Sequence, residues 1–489
     1  MTSLRQKAAK GIYWSFIDQF SSQGISFLLG VILARILSPS DYGLIAMLEI
    51  FTAVANSFIN SGFGTALVQK IDRSETDFST VFFFNMGASL FFYFLLFFSS
   101  PLIASFYKSP QLELITKIVA LNFVINALTI VPRTILTINV DFKTQTKISI
   151  ISVIVSGIVG ITMAYTGFGV WALVTQGLVA ASTQAVLFIY FIRWKPTLIF
   201  SNISFKTLFG FGSKLLASGL LDTVYTNIYS LVIGKKFLAA DLGFYARAKQ
   251  LQSLPAQNIT NILQRVTFPI FCSIQNEENR MIDAYRRLIR MAAFIVFPLM
   301  FLLVLVAKPL ILILLTEKWL PAVGLFQILC FAGMWYPIHA INLNILEAMG
   351  RSDLFLKLEI WKKAIGVSVL IITIPIGLKA LVWGQVFTSC IGLYLNTYYT
   401  GKYYNYGIAS QLKDIYMFLL ISLVLCGTFL FASTFIVSNV LKLFVGAVVY
   451  ILIYTVISKL FHFEELEVIV SLVRNTFAGI FNKKREVIQ

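Results

Sequence analysis

The sequence predicts an all-α integral membrane protein of about fourteen transmembrane helices, built as two parallel-repeat six-helix lobes plus two C-terminal helices. Three observations predict it. Apolar stretches long enough to cross about 30 Å of hydrocarbon recur from one end of the chain to the other, basic residues gather on alternate connections, and short motifs return after 200 residues.

Composition excludes an ordinary soluble chain. Of 489 residues, 58% are hydrophobic and 12% charged, the mean hydropathy is +0.83, and soluble domains usually carry about 25% charged residues. Connections between the apolar stretches are short, so no extramembrane domain is expected. Arg5, Lys7 and Lys10 lead into a long apolar segment without a small-residue cleavage site, which reads as a retained first span. Cys272, Cys330, Cys390 and Cys426 stand singly without metal or redox spacing and read as small hydrophobes.

Taken in order, the spans are expected at 12–36, 43–68, 78–104, 113–138, 147–166 and 169–193, then 208–233, 249–271, 287–315, 320–347, 354–377 and 380–400, with 412–437 and 440–459 closing the chain. An even number puts both termini on one side. The basic residues choose that side: Lys70 and Arg73, Lys143 and Lys147, Arg193, Lys195 and Lys206, Arg280 to Arg290, Arg351 and Lys357, and Lys402 and Lys413 share it with the termini. Both termini are therefore expected in the cytoplasm. The net charge of +17 follows from this topology and does not call for nucleic acid.

Beyond the last span, Leu466, Ile469, Val470, Val473, Phe477, Ile480 and Phe481 recur at helical spacing between Glu464, Glu465 and Glu467 and a closing Lys483, Lys484 and Arg485. An amphipathic helix on the anionic leaflet is expected, with a solvated tail as the alternative.

The repeat relates Leu33–Leu44 to Ile233–Phe244. At a constant offset of 200, Arg35 falls on Lys235, Asp41 on Asp241 and Gly43 on Gly243; at 208, Gly169, Ala172, Leu173 and Val174 fall on Gly377, Ala380, Leu381 and Val382. Six spans per unit is an even number, so the second unit enters with the orientation of the first. The expected organisation is an N-lobe at 1–200, a C-lobe at 201–405, two further helices at 406–460 and the tail at 461–489. Transporters built on such repeats bind substrate near the midplane and alternate access.

Polar residues are costly in lipid, so stripes of them mark a protein interior or a wet cavity. Span one carries Asp18, Ser22 and Ser26 on one face, span two Glu49, Thr52, Asn56 and Asn60, and span four Asn122, Asn126, Thr129 and Arg133. Span seven repeats the first stripe with Lys214, Ser218, Asp222 and Thr226. Span eight has Lys249, Asn258, Asn261 and Arg265, span ten His339, Asn342 and Glu347, and span eleven Lys357, Glu359, Lys362 and Lys363.

Cations outnumber acids on these faces, which points to an anionic ligand group such as a pyrophosphate on Arg133, Lys214, Lys249, Arg265, Lys362 and Lys363. Asp18, Glu49 and Asp222 are candidate coupling-ion sites, for H+ or Na+. Asn56, Asn60, Asn122, Asn126, Asn261, His339 and Asn342 are candidate polar cavity groups. Alternatives stay open. Glu359 pairs within its own helix with Lys363 in one reading; Arg133, beside Pro132, only marks the end of span four in another; Lys249 and Arg265 snorkel; the acids pair with the cations; and His339 is a packed, hydrogen-bonded residue.

No catalytic motif accompanies these stripes. The pairs Gly62/Gly64, Gly167/Gly169 and Gly210/Gly212 lack a third glycine and a strand, and neither Gly234-Lys235 nor Gly401-Lys402 has the spacing of a phosphate-binding loop, so no cofactor is expected.

Several runs are familiar. Gly11-Ile12-Tyr13-Trp14-Ser15, Gln23, Leu33 to Pro39 with Asp41-Tyr42-Gly43, Gly243-Phe244-Tyr245 with Arg247 and Gln250-Leu251, Phe268-Pro269, Asn344 to Gly350, and Lys357-Leu358-Glu359 resemble polysaccharide flippases of the Wzx and colanic-acid-exporter type. These belong to the multidrug/oligosaccharidyl-lipid/polysaccharide exporter (MOP) superfamily. The resemblance covers the whole chain. It implies a bacterial inner membrane and movement of an undecaprenyl-pyrophosphate-linked oligosaccharide to the periplasmic leaflet, with polysaccharide polymerase machinery as a candidate partner. The alternatives are a cation-coupled multidrug antiporter of the same superfamily, a peptidoglycan-precursor flippase, and a membrane polymerase, ligase or glycosyltransferase.

Overall fold

The computed structural model describes residues 4–60, 62–274, 277–471 and 474. Among them there is no strand. The first ten helices are α1 (Leu4–Ile36), α2 (Pro39–Asn60), α3 (Phe63–Gln69), α4 (Glu75–Tyr107), α5 (Gln111–Val119), α6 (Leu121–Ile138), α7 (Phe142–Tyr165), α8 (Val170–Ile192), α9 (Asn202–Lys236) and α10 (Ala239–Ser273). Eight follow: α11 (Glu278–Leu305), α12 (Ala307–Leu315), α13 (Ala322–Gly333), α14 (Tyr336–Ala348), α15 (Ser352–Thr373), α16 (Leu378–Tyr404), α17 (Ile408–Ala432) and α18 (Asn439–Leu460).

Every expected span is helical, and 11 helical segments among the described residues are long and apolar enough to cross a membrane. Segments 208–233, 249–271 and 354–377 correspond to α9, α10 and α15. Ionisable residues lower their mean hydropathy, from Lys206, Lys214 and Asp222 on α9 to Lys357, Glu359, Lys362 and Lys363 on α15. Four spans are broken: α2 and α3 at Gly62, α5 and α6 at Ala120, α11 and α12 at Val306, and α13 and α14 at Met334 and Trp335.

The chain divides into two compact units, Met1–Ala246 and Arg247–Gln489. In the first, α1 packs on α7, α7 on α8, α6 on α4 and α8, and α2 on α4, α8 and α9. Small residues permit the close approaches: a β-carbon on Gly157 would lie 2.3 Å from Leu29 Cδ1. The turn before α2 is a reciprocal cap. Ser38 N–H and Oγ–H donate to Asp41 Oδ2 at 2.9 and 2.6 Å, and Asp41 N–H donates to Ser38 Oγ at 3.3 Å. Two hundred residues on, Leu238 N–H donates to Asp241 Oδ2 at 3.2 Å, so the repeated aspartate does the same work at the start of α10. The second echo is also conformational: Gly169 (φ +55°) and Gly377 (φ +121°) precede α8 and α16 in a backbone region that β-carbons disfavour.

In the second unit α11 is the central helix, packed on α13, α14, α17 and α18, while α15 packs on α14 and α16. Ala292, Ala293 and Phe297 are fully buried on α11. Outward faces are apolar instead of charged, as with Phe98 and Leu102 on α4 or Leu452 and Val456 on α18, the arrangement expected where lipid is the solvent.

Residues 464–471 are helical, and this start of the tail is docked. Arg290 Nε donates to the buried Glu465 Oε1 at 2.5 Å, and the Phe463 ring sits 5.0 Å from that of Phe418. Val473, Phe477, Ile480, Phe481, Lys483, Lys484 and Arg485 lie outside the described residues.

Candidate substrate-binding site

A cavity of about 640 Å³ opens within the first unit, lined by Asn56 and Asn60 of α2, Gly62, Gly64 and Thr65 at the helix break, Asn126, Thr129 and Arg133 of α6, and Gln184 of α8. That volume lies in the range of small-ligand sites, about 300–1,000 Å³. The polar side chains that heptad-like spacing put on one face of span two and one face of span four thus meet across a single space.

The break at Gly62 shapes one wall. Gly62 has φ +70°, α2 stops at Asn60, and α3 restarts at Phe63 and buries Phe63, Ala66 and Leu67 against Val81, Val131 and Leu208. Irregular backbone within a span is tolerated where it lines a cavity or is buried in protein, and here it does both. The Gly62/Gly64 pair excluded as a nucleotide motif is therefore a helix interruption.

Arg133 is the cation of this cavity. Its guanidinium donates to Gln184 Oε1 at 3.5 Å and lies 5.8 Å from the Phe188 ring centroid. The charge of Asp18 acts on it. Asp18 itself is half-buried on α1, where Ser22 Oγ–H donates to its Oδ1 at 3.2 Å. A planar guanidinium with five donors matches two phosphate oxygens, and surrounding amides match sugar hydroxyls.

Other groups of the first unit are placed apart. Asn122 is half-buried, and its Nδ2 donates to Val119 O at 3.1 Å. Glu49 on α2 and Asp222 on α9 are exposed. Ser57, two turns on from Glu49, and Thr223, next to Asp222, share a hydrogen bond between their hydroxyls at 3.0 Å, which ties α2 to α9. The side chain of Lys214 lies outside the described residues, as does that of Arg265 in the second unit.

The second unit gathers Glu359, Lys362 and Lys363 on α15. Lys362 Nζ donates to Glu359 Oε1, and Lys363 Nζ is 3.8 Å from Glu359 Oε2. Behind them His339 is held through both ring nitrogens, with Nε2 3.1 Å from Ser389 Oγ and Nδ1 3.2 Å from Asn396 Nδ2. With Asn396 donating, Nδ1 must accept, so Nε2 carries the proton toward Ser389 and the ring is neutral. Asn342 is fully buried in a ring of three side chains: Tyr285 Oη–H donates to Asn342 Oδ1, Gln411 Nε2 donates to Tyr285 Oη at 2.8 Å, and Asn342 Nδ2 donates to Gln411 Oε1 at 3.2 Å. That ring joins α11, α14 and α17. Lys249 is half-buried and Asn261 exposed on α10.

Sequence reasoning missed Gln184, Thr65 and Thr134. Gln184 had a usable signal, since it is an amide within an otherwise apolar span, but it belongs to no four-residue stripe. Thr65 sits beside a helix break that no periodicity announces, and Thr134 faces that break from within α6, with its hydroxyl close to Gly64.

A many-helix membrane chain that encloses a polar cavity has the architecture of a membrane transporter. The fold is similar to that of a solved Lipid II flippase MurJ in an inward closed conformation, with a TM-score of 0.74 and 14% identity over 92% of this chain and 99% of that one. Residues 32–324 match the family described as polysaccharide biosynthesis protein, and the chain belongs to it. Among curated relatives, it is 29% identical to the teichuronic acid biosynthesis protein TuaB of Bacillus subtilis, over 72% of this chain and 74% of that one. It is 25% identical to the lipopolysaccharide biosynthesis protein WzxC of Escherichia coli, over 76% of each.

Proposed function

We propose that this chain moves an undecaprenyl-pyrophosphate-linked oligosaccharide from the cytoplasmic to the periplasmic leaflet of a bacterial inner membrane by alternating access. The reading takes fourteen spans, with α9, α10 and α15 crossing as polar-faced helices, and both termini in the cytoplasm. One observation carries it: a cavity inside a membrane-embedded helical unit that sets one guanidinium among four carboxamides, Asn56, Asn60, Asn126 and Gln184. The diphosphate is the ligand of Arg133, and the carboxamides take sugar hydroxyls. The isoprenoid stays in lipid.

Asp18 is the coupling group. Its negative charge competes with the diphosphate for Arg133, so protonation or cation binding at Asp18 strengthens the hold on substrate and its release weakens it. Lys214 in the first unit, and Lys362 and Lys363 beside Glu359 in the second, are further candidate cations.

The test is export of surface polysaccharide by cells carrying Arg133→Ala, Lys214→Ala, Lys362→Ala or Lys363→Ala, with membrane abundance measured alongside. Reduced export at normal abundance, most severe for Arg133→Ala, is expected. Wild-type export from all four would eliminate the reading.

A further inference from the structure

The connection between α8 and α9 is built as a rigid strap. Arg193 ends α8 with φ +51°, and Pro196 restricts the preceding Lys195 to extended backbone. Four hydrogen bonds then fix its inner edge to the first two turns of α4: Trp194 Nε1–H donates to Glu75 Oε2 at 3.0 Å, Thr197 N–H to Ser79 Oγ at 3.0 Å, and Ser201 N–H to Thr80 Oγ1 at 3.1 Å, while the Ser79 and Thr197 hydroxyls are hydrogen-bonded to each other at 2.9 Å. The Trp194 ring packs 5.7 Å from that of Phe82.

This tethering leaves the outer edge uncovered. Leu198 is 94% exposed and Ile203 80%, with Ile199 and Phe200 half-exposed beside them. Ile71, in the turn that enters α4 at the same end of the helices, is 85% exposed. Leu198, Ile199 and Phe200 lie in the connection between two helices, Ile203 in the first turn of α9 and Ile71 in the turn before α4, so a mid-helix lipid-facing flank does not account for them. Residues 193–206 hold Arg193, Lys195 and Lys206, all exposed, and no acid; the acids nearby are Asp72 beside Ile71 and Glu75, whose carboxylate is taken up by Trp194.

We propose that residues 193–206, with Ile71, form an interfacial anchor that seats Leu198, Phe200 and Ile203 in the membrane leaflet and binds anionic phospholipid headgroups through Arg193, Lys195 and Lys206. Apolar tips flanked by cations are the chemistry of such a surface. A rigid strap loses little entropy on insertion, because its backbone is already ordered by α4. Since the strap leads directly into α9 and rests on α4, the anchor sets the depth of both helices. The proposal goes beyond the transport reading and stands whatever the transported lipid is.

The experiment uses the full chain with Cys390→Ser, since the remaining native cysteines are buried or half-buried, and a Leu198→Cys label with an environment-sensitive fluorophore. The labelled protein is reconstituted in phosphatidylcholine vesicles with and without phosphatidylglycerol. A blue-shifted emission, quenched by lipids brominated near the headgroup and quenched further with phosphatidylglycerol, is expected. Lys195→Gln with Lys206→Gln should abolish the phosphatidylglycerol-dependent part at unchanged thermal stability. Emission of a label in water overturns the proposal, as does quenching indifferent to phosphatidylglycerol. Shielding that appears only when a soluble cell extract is added also overturns it, in favour of a protein partner. Ile203→Cys reads the same surface should Leu198→Cys fail to fold.

Discussion

Gly43 and Gly243 meet at one helix crossing, and they do so reciprocally. A β-carbon on Gly43 would lie 1.8 Å from the carbonyl oxygen of Ala239, and one on Gly243 would lie 1.9 Å from the carbonyl oxygen of Pro39. Residue 39 plus the repeat offset is residue 239, so each glycine accepts the start of the other's helix. The relation is that of a local two-fold axis through residues 39–43 and 239–243.

Because the obstructing atoms are backbone, no side chain can turn aside. Gly43→Ala or Gly243→Ala is expected to lower stability by about 1–3 kcal/mol or more through overpacking. Thermal unfolding in detergent and membrane abundance measure it. A Gly24→Ala control, where nothing lies within 4 Å of the added atom, should be near neutral.

At Arg133, charge and shape separate. Arg133→Lys keeps the cation but loses the fork, and a hydrogen bond to a charged group is worth about 1.5–3 kcal/mol. Export by Arg133→Lys should therefore fall between that of the parent chain and that of Arg133→Ala. Equal loss in both variants would mean that bidentate geometry, and not charge, is what matters.

Asp18→Asn tests the coupling assignment. Removing the carboxylate that acts on Arg133 should leave substrate binding intact or tighter, while transport into vesicles loses its response to imposed proton and sodium gradients. If the response persists in Asp18→Asn and in the corresponding Glu49→Gln and Asp222→Asn variants, coupling lies elsewhere.

The ring of Tyr285, Asn342 and Gln411 is a packing element. Asn342→Leu strands two buried polar partners and should cost about 1–3 kcal/mol per unsatisfied group. The loss should appear in thermal stability, and export per folded molecule should stay near normal.

Arg290 and Glu465 bind the start of the tail to α11. Glu465→Gln should expose residues 464–471 to proteolysis sooner than the helices before them. The double variant Arg290→Gln with Glu465→Gln should lose less than the two single losses together, because each single change leaves a charge without its partner.

How much was legible follows from which interactions are local. Asp41 and Asp241 cap their own helices three residues away, so a repeat in sequence is a repeat in structure. Glu359, Lys362 and Lys363 are spaced for pairing on one turn, and they pair. Arg133 and Asn126 could be placed on the same helix face as easily. Gln184 could not, because its position depends on how α8 packs against α6, and its own helix offers no stripe to read.

By itself the sequence determined the medium and the element type: long apolar runs leave an unpaired backbone no alternative to helix in lipid, and the charge pattern and the 200-residue echo fix order and repetition. The tertiary structure decided which polar faces share a space. It brought α2, α6 and α8 together around Arg133, closed Asn342 into a dry ring, and set Gly43 against Gly243. Those outcomes rest on contacts between helices far apart in the chain, where packing shape, and not periodicity along any one helix, selects the neighbour.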